Sequence, residues 1–187
     1  SFDARPNFDP ETGNINYQLL LQSVMSAAMP PEEKEKIQKI VDQLDPSDFS
    51  SDAVNARGVV ISHSDWISTN FKREKLKIAW KEFFKEWDIL ICPQMATPAF
   101  EHDHRNYNER TIKVNNQEQS YFQQIFWAGM IVNAYLPSTV FPTGPSKDGL
   151  PIGLQAVSGA YQDYKTIEFT RLLAEEIGGF IAPPNYI

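Results

Sequence analysis

Between Asn14 and Pro30 the apolar residues Tyr17, Leu20, Leu21, Val24, Met25 and Ala28 recur at steps of three and four. That period predicts a helix with one buried face. The residues before it, 1–13, carry Pro6, Pro10 and Gly13 and read as an extended approach to the fold. Pro30-Pro31 closes the first helix, and Pro31 followed by Glu32 and Glu33 opens a second, since proline and acids suit a first helical turn. The second helix runs to about Leu44, with Ile37, Ile40, Val41 and Leu44 on its apolar stripe. Asp45-Pro46-Ser47-Asp48 is a turn and capping signal. One long helical region is expected from Ser51 to Glu86. In its second half Leu76, Trp80, Phe83, Phe84 and Trp87 share one face, and Lys75, Lys77, Lys81, Glu82 and Lys85 take the other. Such a stripe predicts a helix packed on a sheet.

The pattern then changes period. Asp88-Ile89-Leu90-Ile91-Cys92-Pro93 is a short continuous apolar run stopped by proline, which predicts a strand buried on both faces. Residues 94–120 form a long, mostly polar connection of the kind often given to function; within it, residues 111–116 (TIKVNN) suit one arm of a hairpin. A helix follows from about Tyr121 to Ala134. Leu136–Gly159 reads as two short buried strands joined by a turn rich in glycine and proline. Gly144 and Gly149 allow tight turns there, Gly153 allows close approach of a neighbouring backbone, and Pro142 and Pro151 close strand ends. Asp163 caps a last helix to about Ile177, with Ile167, Leu172, Leu173 and Ala174 inward and Gly178 as its stop. The expected fold is α/β: a partial mixed β-sheet with flanking helices, preceded by a helical segment. Residues 1–56 form the helical lead-in, and 57–187 the α/β part.

Charge narrows the partners. Lysine and arginine total 17 against 24 acids, a net charge of −7. An acidic chain is a poor match for nucleic acid or an anionic membrane. No apolar run approaches the roughly 20 residues of a spanning helix, and the polar start, SFDARPNFDPETG, lacks the apolar core of a signal peptide. Cys92 is the single cysteine, which excludes an internal disulfide and fits a reducing, cytoplasmic setting.

Local chemistry is sparse. Ser62-His63-Ser64-Asp65 has the residue types of a hydrolytic triad, but neighbours on one helix point about 100° apart and cannot form it, so a capping role is expected. His102 and His104 flank Asp103 and could give two metal ligands, one short of a stable site unless Glu101, Asp103 or Glu109 joins them; no metal and no cofactor are expected. Ser50-Ser51 is the one adjacent serine pair, and with acids at 48 and 52 and no glycine beside it, it suits a helix N-cap. Cys92 has no histidine near it in sequence and is expected to be a buried, inert thiol.

Three blocks taken in order resemble the amidase signature hydrolases. The first is Trp80–Pro93 with Thr97-Pro98-Ala99-Phe100. The second is Trp127-Ala128-Gly129 running on to Leu136-Pro137-Ser138. The third is Val140-Phe141-Pro142-Thr143-Gly144 with Gly149–Gln155. The resemblance implies hydrolysis of carboxylic amide C–N bonds by a lysine and two serines in a glycine-rich setting. None of these 187 residues matches that apparatus, so no catalytic residue is assigned. What the resemblance implies is the C-terminal part of a longer amidase, which completes the sheet and the pocket for a small-molecule amide. Its principal partner would be the N-terminal catalytic half, and exposed edges would leave a homodimer open to the chain alone. The pocket should lie beyond the carboxyl ends of the strands, which makes Met95 and Thr97, after the first strand, and Trp127 the expected substrate-binding residues. Two other readings stand beside this one: a non-catalytic binding or scaffolding module derived from an amidase, and an independent hydrolase using His102 and His104.

Overall fold

The computed structural model describes residues 3–183; the end of the expected 57–187 part, residues 184–187, lies outside the described residues. The chain divides into two compact units, Ser1–Glu82 and Phe83–Ile187.

The first unit is helical. Helix α1 spans Pro10–Met25, α2 Pro31–Val41, α3 Ser51–Val59, and α4 begins at His63 and runs to Glu86. α1 starts earlier than its apolar pattern suggests. Asp9 caps it by accepting from Thr12 N at 2.9 Å, and Pro10 supplies the preset φ of the first turn. The stretch expected as one helix from 51 to 86 is two. The β-branched run Val59-Val60-Ile61 leads out of α3, and Ser62 starts α4 by accepting from Asp65 N at 3.0 Å and donating to its carboxylate at 2.6 Å. Ser50 caps α3 through Ala53 N at 3.4 Å.

α1 packs on α3 around Leu20, Ala53 and Val54. The approach is close at Gly58, where a Cβ would stand 2.7 Å from Gln22 Cβ and 3.0 Å from Leu19 O. Asn16 Nδ2 donates to Thr69 O at 2.8 Å and ties α1 to α4. Trp80 is buried edge-on to Phe8 at 5.6 Å. The expected inward stripes are only partly inward: Val24, Met25 and Ile40 are exposed, and α2 buries no residue fully.

The second unit carries a sheet of order β1–β5–β4, built from β1 (Leu90–Pro93), β4 (Ser138–Pro145) and β5 (Pro151–Val157), all paired antiparallel. Between β1 and β4 the chain forms a 3₁₀ turn (Tyr107–Glu109), the hairpin β2 (Thr111–Val114) and β3 (Gln117–Ser120), a second 3₁₀ turn (Tyr121–Ile125) and α5 (Phe126–Asn133). Asn115 and Asn116, at φ of 50° and 66°, make the two-residue hairpin turn that suits the twist of its strands. α6 (Asp163–Ile177) packs on β4 and ends at Gly178, whose φ is 88°. The small sheet with flanking helices is the α/β architecture that the alternation of elements predicts, although the described strands pair antiparallel rather than as a mixed sheet.

Several details differ from the pattern. β1 is an edge strand rather than one buried on both faces, and Ile91 is 46% exposed. Pro142 sits inside β4 opposite Gly153, beside a register shift before Gly144, where an edge strand tolerates a missing N–H. Asp163 is the first residue of α6 rather than its cap. Ile167 and Leu172 of that helix are exposed instead of inward.

Candidate functional site

The sheet is stapled at its centre by one buried polar side chain. Gln155 on β5 donates from Nε2 to Pro93 O of β1 at 2.8 Å and accepts from Ser138 Oγ of β4 at 2.8 Å. All three strands are thereby tied at one level, and the buried amide is satisfied on both sides. Cys92 lies beside it. Burial pushes its thiol up to about 11, opposed in part by a hydrogen bond with Gln155. The group stays a protonated thiol at neutral pH and is no nucleophile. Just before β1, Asp88 is held by Lys165 Nζ of α6 at 2.8 Å, and this hydrogen bond keeps its carboxyl below the usual range. The aspartate thus fastens β1's entry to the last helix.

The chain leaves the C-terminal end of β1 through Met95 and Thr97, both half-buried. Thr97 Oγ1 is covered and has no hydrogen-bond partner among the described residues. Trp127 lies half-buried on α5 with its ring edge-on to Phe126 at 5.3 Å. No hydrogen bond or ring contact joins these three residues to one another among the described residues.

The remaining sequence candidates resolve into structural roles. Ser62 is the cap of α4, and Ser50 that of α3. His102 and His104 are exposed with their rings edge-on at 6.1 Å, and Asp103 between them is gripped by Arg105, whose hydrogen bonds hold that carboxyl near 2. Among the described residues no group of three histidine, cysteine, aspartate or glutamate side chains could hold a metal ion, and no helix is long and apolar enough to cross a membrane.

Two further features lie outside the expected substrate-binding residues. One is a groove of about 280 Å³ between β4 and α6, with Val140, Ile167, Ala174 and Ile177 in its walls. Met95, Thr97 and Trp127 do not line it. The other is an arginine, Arg110, whose guanidinium lies over the rings of Tyr107 and Tyr121. Tyr107 is near in sequence, but Tyr121 reaches Arg110 only when the hairpin closes, so no local spacing reveals the group.

Known proteins share this fold. A family model described as amidase matches residues 20–167. The A subunit of glutamyl-tRNA(Gln) amidotransferase from Chlamydia pneumoniae is 32% identical over 96 residues, which cover 51% of this chain and 18% of that protein. The corresponding subunit from Treponema denticola is 29% identical over 105 residues, covering 56% and 20%. Among solved structures, a bacterial aryl acylamidase of the amidase signature family superposes with a TM-score of 0.63 at 15% identity, covering 92% of this chain and 35% of that one. A chain from a vestigial complex bearing on the origins of an s-triazine catabolic enzyme gives 0.67 at 19% identity, covering 93% and 36%. At such identities the superpositions speak for the fold. The chain spans about a fifth of the length of the curated relatives it matches, as the 18% and 20% figures show. With the three blocks in order, this fold, and a family match across most of its length, the chain belongs to the amidase family.

Proposed function

We propose that this chain is the C-terminal part of an amide hydrolase, with residues 57–187 as the α/β part of its amidase domain. One observation carries the reading: the family match runs through 20–167, while the chain spans only a fifth of its curated relatives and holds no serine pair set among glycines. The nucleophile and its base then belong to an upstream segment, which is this chain's principal partner. The chain's own contribution is a stapled sheet and one wall of the pocket for a small-molecule amide. Met95 and Thr97 enter that wall because they lie in the connection that leaves β1, and Trp127 because α5 leads into β4. The buried thiol of Cys92 suits a reducing compartment, and the cytoplasm is the proposed location.

A fluorophosphonate probe tests the division of labour. The 187-residue chain should take up no label and hydrolyse no amide. A longer protein, extended upstream through a glycine-flanked serine pair, should be labelled once at one of those serines. Stoichiometric labelling of any serine within the 187 residues overturns the proposal.

A further inference from the structure

The connection between β1 and α5 holds a cationic group that the proposed chemistry leaves unused. Arg110 stands just before the hairpin and Tyr121 just after it, and strand pairing brings them together so that Tyr121 N donates to Arg110 O at 3.0 Å. The guanidinium carbon lies 5.9 Å from the centre of the Tyr121 ring and 6.0 Å from that of Tyr107, within reach of both ring faces. Those rings meet edge-on at 5.4 Å, and Phe100 and Phe122 buttress them at 6.0 Å and 6.1 Å. Arg110 Nε donates to Arg105 O at 2.9 Å. One backbone hydrogen bond and two ring contacts thus position the guanidinium, yet its Nη donors have no partner among the described residues and the side chain is only half-buried. The Arg110 charge helps to hold the Asp103 carboxyl low, but the hydrogen bonds of the neighbouring carboxylates go to other residues. Arg105 donates to both oxygens of Asp103, from Nε to Oδ1 at 3.1 Å and from Nη2 to Oδ2 at 2.7 Å, and Glu109 accepts from Asn106 Nδ2 at 3.2 Å.

An arginine held in place with its fork open is preorganised for a planar oxyanion, because the rotamer entropy of binding is already spent. A carboxylate fits that fork through two parallel hydrogen bonds. The segment that carries Arg110 leaves the C-terminal end of β1, the same connection that holds Met95 and Thr97. We infer that Arg110 is a carboxylate-binding residue, and that its occupant is a carboxylate carried by a small amide substrate in addition to the bond to be cleaved. The occupant's identity rests on the amidase reading; the carboxylate site itself does not.

Two measurements decide the matter. In the first, acetate is titrated into the 187-residue chain while the Arg110 Nε–H resonance is followed by NMR, with propionamide as the neutral control. Acetate should give a saturating shift and propionamide none; a linear drift equal to that of exposed Arg5 overturns the site. In the second, kcat/KM is measured for succinamate and butyramide in the longer, upstream-extended protein. Arg110→Gln should lower the succinamate-to-butyramide ratio on the order of 30-fold, through KM, and Arg110→Lys should restore part of it. An equal loss for both amides means that Arg110 only braces the connection, and it overturns the inference. Saturation by acetate with an unchanged ratio assigns the fork to a carboxylate of the protein and overturns the substrate role. Failure of the unsubstituted protein to hydrolyse either amide strikes the amidase reading alone, and the acetate titration still decides the site.

Discussion

β5 and the β4–α6 groove are written in similar apolar residues and meet opposite fates. On β5, Gln155, Ala156 and Val157 are buried between two hydrogen-bonded neighbours, and Gln155 reaches both of them. One strand away, Val140 is 57% exposed, and Ile167 and Ile177 across the groove are 53% and 55% exposed. β4 pairs on one side only, so its outer edge keeps unpaired backbone groups beside that apolar surface. An apolar pattern therefore states what a segment needs covered; it does not state that the same chain supplies the cover.

The largest test of that contrast is Gln155→Ala. It deletes the staple, opens a small void and leaves Pro93 O short of a donor, for a loss of about 2–4 kcal/mol in chemical denaturation. A loss below about 0.5 kcal/mol, the size of an ordinary surface substitution, would erase the distinction between β5 and the groove. Cys92 sharpens the same point through pH. Its thiol ionises near 9.0 when unfolded and near 11 when buried, so unfolding is favoured by ionisation once the pH passes the lower value. Stability contributed by the neutral thiol is complete below pH 9 and should decline as the pH rises towards 11, with Cys92→Ala removing that part of the decline. The thiol should also resist alkylation at pH 8 until the unit unfolds.

Much of this organisation was legible in residue pattern. Gly144, Gly149 and Gly178 all lie at positive φ, as turns and a helix stop require, and Gly153 stands where a Cβ would meet Phe141 O at 3.1 Å. Ser50 was readable as a cap because two acids and no glycine surround the pair. What failed was mostly punctuation read for the wrong purpose. Asp9-Pro10 is a helix start hidden in a proline-bearing approach; the capping role read at Ser62–Asp65 holds, but the break it marks between α3 and α4 was hidden inside a helical period. Burial failed for a different reason. Ile91, Val140, Ile167 and Val24 carry the periodicity of inward residues, yet they lie on edges and faces that this chain leaves open. For the expected site residues the structure gives only their elements: Met95 and Thr97 follow β1, and Trp127 lies on α5. The cradle of Arg110 was not legible in sequence, because Tyr121 reaches it by strand pairing across the hairpin.

The smallest expected change in stability comes from the groove itself. Val140→Ser with Ile167→Ser replaces side chains that make little use of this chain's own core, so the denaturation midpoint should move by no more than about 0.5 kcal/mol. Association should respond far more. An apolar groove beside a free strand edge favours pairing with a second copy, unless the proposed upstream segment covers it. Sedimentation of the 187-residue chain should therefore show concentration-dependent self-association that the double substitution weakens. Fusing the upstream segment should remove the association without any substitution, since the same surface would then be covered from within one molecule. A chain that stays monomeric at high concentration, with or without the serines, would mean that the groove is ordinary surface. The contrast with β5 would then reflect strand position alone rather than a missing cover.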